Sequence, residues 1–380
     1  MEKSKKIQIL KDIIDIESVN GNEKAVADYL ADLFKEYKIS TKQVAYDTDR
    51  NNLVAEIGNG TSKVLAFSGH MDVVAPGNLA DWTTDPFKAD ERDGKIYGRG
   101  SCDMKSGLAA MIIAMIELVE EKTELNGKIK LLATVGEEVG ELGAAQLTKE
   151  GYADDVTSMI IGEPSGYRII YTHQGSINFS VASKGKSSHS SMPKLGINAI
   201  DYLVEFYTKA NHEFRKTVYT NDVLGDFIYN VTMISGGEQI NSIPEKATLE
   251  GNIRTIPEYD NQKTIEKLNE IIEDLNKEKE CNLTLTIEAN KLVVKSERDS
   301  DIAHIAQKIA ETKTGQKVPL LGMSGTTDAA EFIKAKNTFP IIVFGPGNET
   351  PHQVNEYVGV DNYLDMIEVY KEVSMVYLKK

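Results

Sequence analysis

Two cysteines, Cys102 and Cys281, and a single tryptophan occur in 380 residues. Thiols so few and so far apart supply no disulfide framework, which fits a reducing compartment and an expected cytoplasmic location. Basic residues are also short: 43 Lys and Arg face 58 Asp and Glu, a formal net charge of −15. Nucleic acids and anionic membranes are recognised by clusters of Lys and Arg, so neither is an expected partner. Long hydrophobic runs are missing as well, and nothing approaches the roughly 18 apolar residues of a membrane span. The opening stretch "MEKSKKIQILKDIIDIESVNG" lacks the unbroken apolar core and small-residue cleavage site of a signal peptide.

What is present is a globular composition, 41% apolar and 27% charged, on a chain too long for one ordinary core. Two domains are expected. Over the first 170 or so residues, apolar runs ended by Gly, Asn or Pro alternate with 3.6-period stretches, the pattern of an α/β domain. "KVLAFSGHMDVV", "KIKLLATVGEE" and "SMIIGEP" read as strands running into loops, and "TFPIIVFGPG" as another near the far end. "SGLAAMIIAMIELVEE" is apolar nearly all round and reads as a buried helix. The middle changes character. "INFSVASKGK", "NAIDYLVEFYTKA", "FIYNVTMISGG", "KATLEGNIRTIP", "NQKTIEKLNEIIEDLNKEKE" and "NLTLTIEAN" read as β-α-β-β-α-β, the order of a ferredoxin-like sandwich. An inserted α+β module over 175–289 is therefore expected.

His70, Asp103, Glu138, Glu163 and His352 each lie at or shortly after the end of a predicted strand. In open α/β sheets ligands bind beyond the carboxyl ends of the strands, so these five side chains are expected to converge. In "GHMD", residues two apart on an extended chain share a side, so Asp72 can orient the His70 ring for a metal; a plain His-Asp pair is the alternative. Asp103 in "GRGSCDMKSG" reads either as a helix cap or as a carboxylate shared by two ions. That segment lacks the spacing of a phosphate loop. Cys102 beside it reads as a buried structural thiol. In "TVGEEVG" the adjacent Glu137 and Glu138 repel unless a cation offsets them, which would leave one free to take a proton from water. Two imidazoles and three carboxylates without a thiolate suit two zinc ions, with cobalt or manganese as alternatives. A binding protein that has lost catalysis would have no use for a free base at Glu137.

"SGHMDVV", "DWTTDPF", "GRGSCDMKSGLAA", "GEEVGELGA", "GEPSG" and "PHQVNEY", in this order, resemble the di-zinc amidohydrolases that include succinyl-diaminopimelate desuccinylases, acetylornithine deacetylases, aminoacylases and dipeptidases. The likeness spans nearly the whole chain. It implies a zinc-peptidase-like catalytic domain, a mixed sheet flanked by helices, over 1–174 and 290–380, with a ferredoxin-like lid over 175–289 through which two subunits pair. It also implies one zinc on His70 and Glu163, another on Glu138 and His352, Asp103 between them, Glu137 as general base and Asp72 supporting His70. His189 in "GKSSHSS" matches a lid histidine that reaches the partner's site and stabilises the oxyanion. Read unaided, it is a surface histidine in a polar loop. Asn241 and Arg254 match lid residues that contact the substrate, although Arg254 alone would pass for half of a surface ion pair. Gly325, Thr326 and Asp328 in "GMSGTTDAAEF" resemble a substrate loop. The implied reaction is hydrolysis of an N-acyl amino acid or dipeptide. "GPGNETPHQVNEYV" and "SGTTD" stand nearest the desuccinylases, which act on N-succinyl-LL-2,6-diaminopimelate. Those enzymes often carry Arg-Arg-Gly where the lid begins; here the residues are His173, Gln174 and Gly175.

Overall fold

A computed structural model describes residues 1–60, 62–278 and 282–379, so Cys281 lies outside the described residues. The chain divides into two compact units, one of Met1–Thr172, Lys295–Leu321 and Thr327–Lys380, the other of His173–Val294 and Gly322–Thr326.

Four parallel strands form the middle of the first unit's sheet, in the order Lys128–Thr134, Val64–His70, Ser158–Pro164 and Ile341–Gly345. Consecutive residues of a strand face opposite sides, and in these four nearly every residue is buried. Both faces are therefore covered, which is why the runs are continuously apolar rather than alternating. Arg50–Ile57 and Thr41–Asp47 extend the sheet antiparallel on one side, and Ile169–His173 does so on the other. Helix Lys105–Glu120 is buried along almost its whole length, as its all-round apolarity predicts. Helix Val360–Lys379 packs on the sheet through Tyr370, whose ring lies 5.5 Å from that of Phe67. Fully burying a side chain such as Phe67 or Leu65 contributes about 1.5–3 kcal/mol.

Three glycines set how tightly this core closes. A β-carbon on Gly107 would lie 1.9 Å from the Gly162 carbonyl oxygen, and one on Gly345 would lie 2.1 Å from the same atom. The start of helix Lys105–Glu120 and the strand ending at Gly345 thus both close on the backbone next to Glu163. Side chains at these positions would push the Asp103 loop away from Glu163.

The second unit has a four-stranded antiparallel sheet in the order Ile228–Gly236, Lys246–Thr255, Gly175–Lys184 and Asn282–Lys291. With helices Ala199–Lys216 and Asn261–Glu278 this is the β-α-β-β-α-β sandwich expected from the pattern. Ile177, Phe179 and Val181 bury the period-two face of one strand. Leu203, Phe206, Ala210 and Phe214, and Leu268, Ile271, Ile272 and Leu275, are the apolar stripes of the two helices. No helix among the described residues is long and apolar enough to cross a membrane.

Candidate metal centre

The four parallel strands deliver their carboxyl ends to one edge of the first unit. His70 is the last residue of its strand and stands in register with Thr134, after which the chain continues through Gly136 to Glu137 and Glu138. Gly136, at φ 64°, makes the turn there in the left-handed region that glycine tolerates. Asp72 then secures the pair, because its carboxylate accepts the backbone N–H of Glu137 at 3.1 Å and of Glu138 at 3.2 Å. Glu163 is the penultimate residue of Ser158–Pro164, and His352 lies in the loop beyond Ile341–Gly345. Asp103 precedes helix Lys105–Glu120, whose N-cap position is Met104 and carries no side-chain cap. Asp103 is thus free of the capping role.

The decisive geometry is at Asp103. Its Oδ1 lies 3.2 Å from His70 Nε2, and its Oδ2 lies 3.4 Å from His352 Nε2. Each carboxylate oxygen faces a different imidazole. Glu163 Oε1 is 3.5 Å from the same His70 nitrogen, and Glu138 Oε1 is 3.1 Å from the same His352 nitrogen. Three overlapping groups result, His70–Asp103–Glu163, Asp103–Glu138–His352 and His70–Glu137–Glu138, each with ligand atoms within 4.8 Å of one another. His70 turns its other nitrogen, Nδ1, toward Asp72, 2.9 Å from the backbone carbonyl and 3.5 Å from the carboxylate. The tautomer with hydrogen on Nδ1 leaves Nε2 bare as an electron-pair donor.

Electrostatics point the same way. Burial, and then the charge of Glu163, push Glu137 well above the usual carboxylate range, with Asp328 and Glu138 adding to the effect. Burial and Asp103 raise Glu163 likewise. Burial opposes a charge on Asp103, yet His352 and His70 hold it below its ordinary range. His352 is raised to about 10 by Asp103 and Glu138. Burial alone would lower His70, but Glu163, Asp103 and Asp72 together lift it well above its ordinary value. Carboxylates gathering protons beside imidazoles that want to be charged mark a surplus of negative charge, which divalent cations satisfy. The oxygen and imidazole donors, with one carboxylate presented two ways, fit a pair of such ions. Cys102 takes no part: it is buried, it accepts the Asn348 N–H, and burial pushes its thiol up to about 12.

Residues 66–375 match peptidase family M20/M25/M40. The chain belongs to that family. A probable succinyl-diaminopimelate desuccinylase of Staphylococcus epidermidis is 40% identical, covering 99% of this chain and 98% of that one. Among solved structures, aminopeptidase PepT of Bacillus cereus shares 20% identity at a TM-score of 0.81, with both chains fully covered. The YXEP protein of Bacillus subtilis, described as a dinuclear metal-binding peptidase of the M20 family, shares 18% identity at a TM-score of 0.75, over 99% of this chain and 98% of that one. At those identities the two structures bear on the fold. With the family and the ligand clusters together, the protein is a metal-dependent amidohydrolase with a site suited to a dinuclear centre.

The second unit holds the other singled-out residues. His189 is exposed, 2.7 Å from Ser191 Oγ through Nδ1, in a two-residue ladder where it pairs with Ser242. Asn241 adjoins it, its carbonyl accepting the Ser190 N–H at 2.9 Å. Arg254 lies on strand Lys246–Thr255, opposite Ser176 on one side and Ile228 on the other. The ion pair that its sequence context alone predicts is not formed among the described residues of its unit; the guanidinium is half-buried and desolvation lowers its pKa. Gly325 and Thr326 fall in the short segment Gly322–Thr326 grouped with this unit. Asp328, in the first unit, accepts the Thr134 hydroxyl at 2.6 Å.

Two buried residues escaped the reading of the sequence. Glu356 receives the backbone N–H groups of Gly100, Cys102 and Asp103, and it pairs with Arg99. The available signal was spacing: Glu356 follows His352 by four residues, and Arg99 precedes Asp103 by four.

Proposed function

We propose that the protein hydrolyses N-succinyl-LL-2,6-diaminopimelate to succinate and LL-2,6-diaminopimelate, using two divalent ions per chain, zinc or cobalt. The observation that carries the hydrolytic reading is Asp103, one oxygen toward His70 and the other toward His352. The desuccinylase name of the 40% identical relative supports the substrate. When bound, the two ions would lower the pKa of a water toward about 7 and polarise the amide carbonyl. His70 and Glu163 are assigned to one ion, Glu138 and His352 to the other, with Asp103 shared.

Glu137 is assigned the proton. It is grouped with His70 and Glu138, while the two ligand sets that share Asp103 are complete without it, which leaves its carboxylate for a water. It takes a proton from the attacking water and hands it to the departing amine. Asp72 holds that carboxylate's backbone and steers His70. From the second unit, His189 is assigned to the developing oxyanion, and Asn241, Gly325 and Thr326 to orienting the substrate. Arg254 is assigned to a substrate carboxylate, since a half-buried guanidinium with no acid partner among the described residues of its unit suits a forked contact with a ligand's.

One observation favours a second reading, an acyl-amino acid or peptide with a single carboxylate. Where desuccinylases often carry two arginines, His173 is buried and held neutral, and the Gln174 amide donates at 3.0 Å to the carbonyls of Leu224 and Asp226. Neither offers a positive charge. A panel of N-succinyl-diaminopimelate, N-acetylornithine and simple dipeptides, with zinc or cobalt added, decides between them. The first reading expects kcat/KM for the succinyl compound to exceed the others at least about 100-fold; the reverse order would replace it with the second.

A homodimer through the second unit is part of the proposal. Ile228–Gly236 is an edge strand carrying exposed Met233 and Ile234, and an uncovered apolar edge is a template for pairing with another chain. The sparse cysteines support a cytoplasmic setting.

A further inference from the structure

We infer that the buried Arg99–Glu356 pair is the positioning device of the metal centre, locking together the loops that carry Asp103, His352 and Asp72. Glu356 is fully buried, and its Oε1 accepts the backbone N–H of Cys102 and of Asp103, each at 2.8 Å. Its Oε2 accepts Gly100 N–H at 3.1 Å and Arg99 Nη1 at 2.5 Å. The peptide nitrogen of the shared ligand is therefore bonded directly to a carboxylate on the His352 loop. Arg99 spans the remaining gap, with Nη2 3.4 Å from the carbonyl oxygens of both Ala75 and His352. Ala75 lies three residues beyond Asp72. His352 itself is held at φ 63°, a conformation that residues with a β-carbon adopt rarely, so its loop needs an anchor.

An ordinary stability role explains this arrangement poorly. Buried ion pairs are often no better for stability than apolar residues of the same volume. Here, moreover, Arg99 Nε has no hydrogen-bond partner among the described residues, a cost left unrecovered. What the pair does achieve is angular control of Asp103, whose two oxygens must meet two ions at once. Neither residue touches the reacting atoms; both act through the ligands.

The inference rests on the two-ion reading and is tested on metal-free full-length protein titrated with cobalt(II), followed by visible absorption and by chelator competition. Glu356→Gln keeps one acceptor but turns an NH2 toward Gly100 N–H and Arg99. Arg99→Lys keeps the charge and loses the second arm. Both ions should weaken together, by about 10–100-fold in each variant, because the ligand they share is loosened. KM at saturating cobalt should stay within about two-fold. Glu117→Gln disturbs a buried charge cluster made with Met1, Lys6 and Lys371; it should lower Tm and leave cobalt affinity as in the wild type. A wild-type chain that takes up fewer than two ions defeats the metal reading itself. A wild type with two ions, beside folded variants of undiminished affinity, overturns the inference alone. So does a loss confined to Tm, or failure of both variants to fold, either of which makes the pair a folding element.

Discussion

In the first unit, His70 and Glu163 are buried at the ends of central strands, and every proposed ligand lies within a few ångströms of another. In the second unit, His189 stands exposed on a two-residue ladder, and Arg254 is half-buried with no carboxylate partner among the described residues of its unit. The contrast teaches where each kind of function has to be built. Gripping a cation requires several donors preset to a few tenths of an ångström, which a sheet buried on both faces supplies. Recognising a substrate, the role proposed for the second unit, requires polar groups that can still turn to a ligand, and exposed His189 and half-buried Arg254 lie outside that unit's apolar core.

The largest effect is expected in the first unit: Glu137→Gln should reduce turnover by about 10²–10⁴-fold while metal analysis still finds two ions per chain. Undiminished turnover would remove Glu137 from the role of base. Arg254→Met should act on binding instead, raising KM by about 10–100-fold with little change in kcat, the scale of one charged hydrogen-bonded contact. Equal losses in kcat and kcat/KM would make Arg254 a transition-state group and blur the division between the units.

The third effect is on stability rather than on turnover or binding. Burial lowers His173 to about 4, below its unfolded value near 6.5. The folded chain therefore holds fewer protons than the unfolded one between those limits. The neutral ring's contribution is complete above pH 6.5 and is lost as pH falls toward 4, in all about 3 kcal/mol. Thermal melts of the wild type and His173→Asn across pH 4–7 should converge toward the acid end, and parallel curves would place the titration elsewhere.

Much of the first unit was legible in the sequence because strands buried on both faces appear as unbroken apolar runs, and an acid or histidine at the end of such a run is conspicuous. The β-α-β-β-α-β order of the second unit was legible for a related reason, since each element covers one face and shows its period. Arg99 and Glu356 were not legible. Buried charges look like surface charges until the fold supplies their partners, and their contacts join loops more than 250 residues apart. Asp72 was half legible: the two-residue step to His70 pointed to the imidazole, while its bonds to the Glu137 and Glu138 backbone depend on the neighbouring strand. His189, Asn241 and Arg254 were visible through family resemblance alone, because one polar residue at the surface or half-buried on a strand has no periodic signature of its own.

Anomalous diffraction at the zinc edge, from crystals of the zinc-loaded protein, tests the central claim most directly. Two peaks about 3.5–4 Å apart are expected, one against His70 and Glu163, the other against Glu138 and His352, with Asp103 reaching both. A single peak, or two that Asp103 does not join, would contradict it.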